Sequence, residues 1–425
     1  MNSKVWHTAG LLALALTLPV AADTLYSNLQ DIPIPTNFDG VMIDVDGMGG
    51  WDLNPFFGGV GVANSPAFQP ARTGSWCLDP LQDFAAGATI DGSCNYSTLS
   101  GGSDTHLGTT FTAGQEGFLG FRLNGNYGWM RVVFTGNEAG AVVKDWAYNN
   151  SGAAIVVGEV QQNATSDHTL LVTLAPTTGR TLTLGSVVSN NGAIINRVVK
   201  ADSGTAILTR ANTYSGTTTV SDGTLLVNNL TGSGTGSGTV QVDYGATLGG
   251  TGRVAGALNV TGVLAPGGGV ATLVSGTLTM NGGSTFQYSV DSGADLGIGA
   301  ALQQVTGDLN LNSAVALTLT NMASTPSAFN MGTTFSLINY AGAWNRGLFT
   351  YNSATLANGA QFCDGLNVWQ IDYDATTGGS NFSGAYAGGT SGFVNITAIP
   401  ESRAALLGCL GLLILLRRWR SARPC

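Results

Sequence analysis

The sequence predicts an all-β protein, in which an N-terminal β-sandwich or jelly-roll-like module is followed by a parallel β-helix and a C-terminal membrane or sorting helix. Three observations carry this prediction. They are the composition, a set of short strands that recurs at a regular spacing, and an apolar segment near the end of the chain that is followed by arginines.

Composition narrows the class of protein first. Only 10% of the 425 residues are charged, against roughly 25% in ordinary soluble domains. Glycine contributes 62 residues without the three-residue period of collagen, and 44% of the residues are hydrophobic. The chain is therefore too apolar to be disordered, and collagen, coiled coil and nucleic-acid-binding protein are excluded.

Residues 1–22 have the pattern of a signal peptide. Lys4 supplies positive charge, Leu11–Leu18 forms a short apolar core, and Val20-Ala21-Ala22 offers small residues for cleavage. This core is much shorter than the ~20 residues that span a bilayer, which argues against a membrane helix. We expect the mature chain to begin at Asp23.

Residues 23–160 hold four of the six tryptophans of the mature chain and have less regular strands than the residues that follow. The runs 118–123, 127–134 and 141–148 are typical of successive antiparallel strands with glycine or asparagine at the turns. This pattern predicts the N-terminal β module, but it does not choose among all-β architectures.

Residues 161–398 contain short alternating runs that begin at glycine. Five of them are predicted as strands with one buried face: 223–227, 238–242, 256–260, 276–280 and 307–311. The intervals between their glycines are 15, 18, 20 and 31, which indicates a repeat of about 20 with an insertion in the last interval. Such strands stack as coils, so we predict a parallel β-helix with Val, Leu and Ile inside and Thr outside.

One stretch within this segment has a more specific pattern. Residues 203–227 contain SGT at 203–205, ANTYSG at 211–216 and DGTLLV at 222–227. This text resembles the autotransporter-associated β-strand repeat, with Thr217 in place of the family's second glycine. The resemblance implies a right-handed β-helix of the passenger type.

Residues 399–425 form a three-part tail. The motif Ile399-Pro400-Glu401-Ser402 precedes the apolar run 404–416, and the basic segment 417–423 contains Arg417, Arg418 and Arg420. The apolar run makes a marginal membrane span, and the positive-inside rule keeps the arginines on the cytoplasmic side. The tail resembles the PEP-CTERM sorting signal of Gram-negative bacteria, with Ser402 where that motif usually has a second proline.

The resemblance implies an exosortase-type processing enzyme as a partner, and contact of 404–416 with the membrane before processing. Residues 23–160 are similar to a module found in many proteins with this signal, for which the family gives no established chemistry. A permanent C-terminal anchor and a GPI signal are the alternatives, and the basic end disfavours the GPI signal. Removal of both ends leaves ten basic and 24 acidic residues, a net charge of −14 that disfavours nucleic acid as a partner.

Candidate catalytic and metal-binding residues are few. The sequence has no HExxH, GxSxG or GxGxxG motif, so we expect no enzyme and no cofactor. His106 and His168 are expected to be surface or turn residues. Three carboxylate groups could bind calcium or serve as acid and base: Asp44/Asp46 with Asp52, Asp291/Asp295, and Asp372/Asp374. Residues i and i+2 of a strand share a face, yet such acids more commonly keep strand edges soluble, so Asp44, Asp46 and Asp52 are weak calcium candidates.

Aromatic residues and cysteines add two further candidates. Trp51, Trp76 and Trp344 could be exposed platforms for sugar rings, although tryptophan more commonly fills a core. In an oxidising compartment Cys77 and Cys94 could form a disulfide, which would leave Cys363 as an odd thiol.

Together these observations predict an exported, non-catalytic protein of the cell surface or extracellular matrix, associated with a biofilm or exopolysaccharide. A polysaccharide lyase or hydrolase built on the same β-helix is the first alternative, with Asp291 or Asp372 as a catalytic acid. An adhesin that binds a glycan or a protein through residues 23–160 is the second.

Overall fold

The computed structural model describes residues 23–97, 101–294, 299–382 and 392–400. They form 35 β-strands and one 3-10 helix, Phe57–Gly59. Within these residues no helix is long and apolar enough to cross a membrane. The predicted signal peptide and the predicted C-terminal helix lie outside the described residues.

The first twelve strands build the N-terminal module. They are β1 (Thr24–Tyr26), β2 (Ile32–Pro33), β3 (Leu53–Phe56), β4 (Gly61–Asn64), β5 (Phe68–Arg72), β6 (Thr89–Ile90), β7 (Asn95–Tyr96), β8 (Gly101–Asp104), β9 (Glu116–Leu123), β10 (Asn126–Val133), β11 (Val142–Asn149) and β12 (Ile155–Val156). Strands β9, β10 and β11 pair antiparallel, which confirms the three strands predicted between 118 and 148. A second antiparallel sheet contains β3, β4 and β8.

The sheet of β9, β10 and β11 is buried on both faces. On one face, Phe121 and Met130 share a core with Leu53 and Val62 of the β3–β4 sheet. On the other face, Trp129 belongs to the core that continues into the rest of the chain. The module is therefore a two-layer β structure that is compatible with the predicted sandwich, and its central sheet also covers one end of the segment that follows.

The next strands alternate between two parallel sheets. They are β13 (Val160–Ala164), β14 (Leu170–Leu174), β15 (Thr181–Leu184), β16 (Asn196–Lys200), β17 (Thr205–Leu208), β18 (Thr218–Val220), β19 (Thr224–Val227), β20 (Val240–Val242), β21 (Thr247–Gly250), β22 (Leu258–Val260) and β23 (Val263–Pro266). Even-numbered strands from β14 to β22 pair parallel in one sheet, and odd-numbered strands from β15 to β23 pair parallel in the other.

A third sheet begins after β23, and the remaining strands complete the three sheets. They are β24 (Thr272–Ser275), β25 (Leu278–Met280), β26 (Thr285–Val290), β27 (Leu302–Val305), β28 (Leu309–Leu311), β29 (Val315–Asn321), β30 (Thr334–Tyr340), β31 (Phe349–Tyr351), β32 (Ala354–Thr355), β33 (Gln361–Cys363), β34 (Val368–Ala375) and β35 (Gly392–Ile399). Strands β24, β27 and β30 run parallel in the third sheet. These long parallel sheets are compatible with the predicted β-helix.

The strand register shows the length of each coil. Val198 pairs with Thr218, Thr218 with Val240, Val240 with Leu258, and Leu258 with Leu278, so each of these coils stays close to the predicted period. The next partner of Leu278 is Leu309, a longer step, because β26 and its connection to β27 are longer than the equivalent β23 and its connection to β24. The predicted period and its long last interval are confirmed. The short interval from Gly223 to Gly238 does not correspond to one coil, because β19 and β20 lie in different sheets.

Glycine recurs at one corner of the stack for a steric reason. A Cβ atom on Gly238 would collide with the carbonyl oxygen of Gly216, and one on Gly256 would collide with that of Gly238. Side chains at this corner would force successive coils apart, which explains why the predicted strands of this sheet begin after glycine.

Inward and outward positions differ as predicted. One inward column is apolar throughout: Leu182, Ala206, Leu225, Leu248, Leu264, Phe286 and Leu317. One outward column consists mainly of hydroxyl and amide side chains: Thr173, Val199, Thr219, Gln241, Asn259, Thr279 and Asn310. Burial of the apolar columns stabilises the stack by roughly 25 cal/mol for each Å² removed from water.

Lys200 is the exception within the inward columns. It lies in register between Leu174 and Val220 and is fully buried. Its Nζ donates to the carbonyl oxygens of Ala201, Asp202 and Asp222 at 2.7, 2.6 and 3.1 Å. A buried ammonium group is tolerated here because carbonyl oxygens from two neighbouring coils solvate it.

Antiparallel strands cover both ends of the stack. At the N-terminal end β13 pairs antiparallel with β14, and β1 joins β15 to β11 of the module. At the C-terminal end β35 pairs antiparallel with both β30 and β34, and β33 pairs with β34. The predicted boundary between residues 160 and 161 falls at the first residue of β13.

Candidate functional site

A large cavity lies where the module meets the first coil. It has a volume of about 600 Å³ and is lined by the segment that leaves β1, the loop 42–47, residues 185–187 after β15, and Trp146 and Tyr148 of β11. The module and the solenoid therefore build this site together. We call it the junction groove.

A second cavity of about 320 Å³ extends the junction groove. It shares Ser27, Asn28 and Gln30 with the first cavity and continues to Gln162 of β13 and to the loop 189–196. With the exception of Leu29, its lining residues are serine, asparagine and glutamine. The groove thus changes from an aromatic and acidic part to an amide-rich part.

Hydrogen bonds hold the amide-rich part in place. Leu29 N–H donates to Gln162 Oε1 at 2.6 Å, and Gln162 Nε2 donates to Asn196 Oδ1. Asn196 N–H donates to Asn190 Oδ1 at 3.0 Å. On the other side, Asn28 Nδ2 donates to Val187 O at 3.1 Å. These bonds fix the side chains before any ligand arrives, which lowers the entropy cost of binding.

The aspartates Asp44, Asp46 and Asp52 meet at the acidic end of the groove. One carboxylate oxygen from each lies within 4.8 Å of the others. The sequence pattern predicted that Asp44 and Asp46 share one face of a strand, and this prediction is wrong. They lie in a loop between Ile43 and Leu53, which pair in an antiparallel bridge.

Backbone amides already surround these carboxylates. Gly47 and Gly49 N–H donate to Asp44 at 2.8 and 3.0 Å, Met48 N–H donates to Asp46 at 3.0 Å, and Val45 N–H donates to Asp52 at 2.9 Å. Three carboxylate oxygens at this separation suit a hard cation such as Ca²⁺, and they can also accept hydrogen bonds from hydroxyl groups.

The electrostatics agree with this crowding of acids. Burial raises the pKa of Asp52; the Val45 N–H opposes that effect, and the charges of Asp46 and Asp44 add to it. Burial also raises the pKa of Tyr148, and Asp46, Asp52 and Asp44 raise it further. The Tyr148 hydroxyl therefore stays protonated and can act as a hydrogen-bond donor in the groove.

The other predicted carboxylates lie elsewhere. Asp372 and Asp374 occupy alternate, exposed positions of β34, as the strand pattern predicts. Asp291 lines a separate cavity of about 230 Å³ near the C-terminal cap, and Asp295 lies outside the described residues. Among the residues that the structure describes, three possible metal ligands come together only at Asp44, Asp46 and Asp52.

The histidines and tryptophans divide between surface and core. His106 and His168 are exposed turn residues with φ of 53° and 59°, as predicted. Trp51 and Trp76 are 37% and 64% exposed, so both remain candidates for sugar platforms. Trp344 stacks on Tyr373 with ring centroids 5.3 Å apart, which occupies one face of its ring.

Cys77, Cys94 and Cys363 are free thiols in the structure. Cys94 packs against the main core, and Cys77 lies in the loop that follows β5. The disulfide between Cys77 and Cys94 therefore stays a prediction.

Only the first two residues of the predicted sorting motif are described. Ile399 is the last residue of β35, where it pairs with Val368, and Pro400 follows directly. Glu401, Ser402, the apolar run 404–416 and Arg417, Arg418 and Arg420 lie outside the described residues.

The amide-rich part of the groove was missed by the sequence reasoning. Its residues come from 27–30, 162 and 189–196, which no local pattern connects. The run Ser189-Asn190-Asn191-Gly192 is the one local signal, because it interrupts the apolar alternation with amides.

The specific stretch around residue 212 joins neighbouring coils. The buried side chain of Asn212 accepts a hydrogen bond from Val188 N–H at 2.7 Å and donates to Gly234 O at 2.6 Å. Tyr214 is fully buried, and its hydroxyl lies 2.6 Å from Thr218 Oγ1. These residues have structural roles, in that they fill and connect three successive levels of the stack.

Comparison with known proteins supports this interpretation of the repeat. Residues 198–227 match the family described as passenger-associated-transport-repeat. The match runs from the third residue of β16 to the end of β19, and these strands form two stacked coils. A search of curated proteins found no match to the chain. The predicted autotransporter-associated repeat is thus confirmed, and it suggests an exported or surface protein, whereas the sorting signal stays a prediction.

Proposed function

We propose that the protein is an exported, non-catalytic structural protein of the cell surface or extracellular matrix, processed at a PEP-CTERM-type tail. The match of residues 198–227 to the passenger-associated repeat is the observation that carries this proposal. The repeat also favours a right-handed β-helix. The outward hydroxyl and amide columns give the stack a weakly charged surface that suits contact with exopolysaccharide.

The end of the folded body supports the proposed processing. Strand β35 ends at Ile399, so removal of the chain beyond Glu401 takes away none of the described strands. An exosortase-type enzyme is the proposed partner for this step. In the proposal, contact with the membrane is made by residues 404–416 before processing.

The location and intact mass of the mature protein test the proposal. We would express the chain in two matched Gram-negative hosts, with and without the processing enzyme, and fractionate cells and medium. We expect a chain that begins at Asp23 and ends near Pro400 or Glu401, outside the cell, in the first host alone. A Ser402→Pro variant restores the usual motif and should be processed at least as well. Full-length protein in the cytoplasm of both hosts would overturn the proposal.

The absence of catalysis needs a separate assay. The purified chain should release no reducing ends from neutral or uronate polysaccharides. Release that disappears in Asp291→Asn or Asp372→Asn would replace the structural proposal with the lyase or hydrolase alternative.

A further inference from the structure

We infer that the junction groove binds a neutral oligosaccharide. This inference deepens the proposed function, on which it rests for its biological setting, because it names the site and the chemical class of the glycan. The two connected cavities, of about 600 and 320 Å³, are large enough for several sugar rings.

The amide-rich part matches the chemistry of sugar hydroxyls. A hydroxyl group both donates and accepts hydrogen bonds, and so does a carboxamide. Gln30 and Asn191 line this part with exposed side chains, while Gln162 and Asn196 are buried behind them and joined to each other. The groove therefore presents exposed amides in front of a fixed amide layer, and the Gln30 Nε2 is itself held by a hydrogen bond to Ser27 O at 2.6 Å. In this arrangement the binding groups are held before the ligand arrives.

Asn28 gives an independent indication of a missing hydrogen-bond donor. It lines both cavities and has a positive φ of 59°, with its Nδ2 bound to Val187 O. Within the described part of the chain, its buried Oδ1 has no hydrogen-bond partner. Because an unpaired buried oxygen costs free energy, a small movement of the Asn28 side chain that opens this atom to a ligand hydroxyl would be favourable.

The aromatic and acidic part completes the site. Tyr148 and Trp146 line the first cavity beside Asp44 and Asp46. Aromatic rings pack against the C–H faces of sugars, and carboxylates accept hydrogen bonds from their hydroxyls. The Tyr148 hydroxyl lies in the same lining and can donate a hydrogen bond to the same ligand.

Charge selects against acidic glycans. Asp44 and Asp46 are the charged residues that line the two cavities, and among the described residues neither lining contains arginine or lysine. A uronate or sulfated chain would meet uncompensated like charge. The described lining of the amide-rich cavity contains no carboxylate. A cationic glycan would therefore form no ion pair in that part of the groove.

The test is calorimetric binding to the purified full chain. The probes are hexasaccharides of glucose, galactose and mannose, a hexauronate, and a glucosamine hexasaccharide. We expect at least one neutral hexose probe to bind and the hexauronate to fail. A Gln30→Ala/Asn191→Ala double variant should weaken that binding by about tenfold or more, because two exposed amides are lost. The Tyr148→Phe variant should weaken it less.

The matched control is Gln370→Ala, which removes an exposed amide from β34 at the opposite end of the stack and should leave binding unchanged. The inference is overturned if no neutral probe binds, if only the glucosamine probe binds, or if the double variant binds as the parent does. Since binding is measured on the purified chain, a failure here is distinct from a failure of export or processing.

Discussion

Arg131 and Asp145 lie opposite each other on β10 and β11 and form a fully buried, two-pronged ion pair, with N–O distances of 2.9 and 2.5 Å. Tyr26 of β1 donates to the same carboxylate at 2.6 Å, and Arg131 donates to Gln162 O of β13 at 2.6 Å. Burial alone would lower the pKa of Arg131, but the charge of Asp145 raises it overall. The pair thus connects the module to the first coil.

Removal of one member of this pair should destabilise the protein strongly. Arg131→Met leaves the buried Asp145 carboxylate without its ion-pair partner, and Asp145→Asn leaves Arg131 with the partly exposed Glu116, at 3.5 Å, as its ion-pair partner. We expect a loss of about 3–5 kcal/mol in the free energy of unfolding. Denaturant titration measures the loss. Lys144→Met, which breaks the more exposed Lys144–Glu116 pair, is the control and should cost at most about 1 kcal/mol. Equal losses in the two variants would contradict the role assigned to the buried pair.

Asn212 should be the residue of the repeat most sensitive to truncation. Asn212→Ala leaves Val188 N–H and Gly234 O without their partner, and we expect a loss of about 2–4 kcal/mol in the free energy of unfolding. Asn259→Ala truncates an asparagine of the outward column and should change stability by less than about 0.5 kcal/mol. If both variants unfold at the same denaturant concentration, Asn212 does not connect the coils as described.

The stability of the protein should depend on pH in a specific way because of Lys200. Burial lowers its pKa below the ordinary 10.5, although the nearby Asp222 and Asp202 partly oppose this. The folded chain therefore binds this proton less tightly than the unfolded chain. The contribution of Lys200 to stability rises as the pH increases from the folded pKa to 10.5, and it is lowest below that window.

Comparison with Lys200→Met isolates this contribution, since methionine suits an inward column that already contains Met280. As the pH is raised from neutral toward 10.5, we expect the free energy of unfolding of the parent chain to rise relative to that of the variant. Lys144→Met serves as the control for the loss of a lysine elsewhere. A constant difference between parent and Lys200→Met across this range would refute the lowered pKa.

Calcium should bind the Asp44, Asp46 and Asp52 loop weakly. Because backbone N–H groups already donate to all three carboxylates, we expect a dissociation constant no tighter than the ~10⁻⁴–10⁻³ M of extracellular modules. Isothermal titration with CaCl₂ measures this dissociation constant, and the Asp46→Asn variant should show no heat of calcium binding. A submicromolar constant would show that the loop is a dedicated calcium site.

The sequence allowed the coils to be predicted because their signal is local. In each predicted run from 238–242 onward, the observed strand begins two residues after the glycine. These first strand residues are Val240, Leu258, Leu278 and Leu309. Lys200 could not be placed in this way, because its inward position depends on carbonyl oxygens from two coils.

The candidate site shows the same limit. Asp44, Asp46 and Asp52 were identified from their proximity in sequence, but the loop that gathers them was not. Gln30 and Asn191 are far apart in the chain and meet through the pairing of β1 with β15. The antiparallel caps at both ends likewise depend on long-range pairing that alternation within a strand does not encode.

The stack of parallel strands also sets a length. Seven residues of one inward column, from Leu182 to Leu317, are separated by inter-strand steps of about 4.8 Å, so the column spans about 30 Å. The junction groove lies at one end of this column, and the chain leaves the cap at Pro400 at the other. The solenoid therefore acts as a spacer, which separates the groove from the C-terminal end of the folded body by about 30 Å.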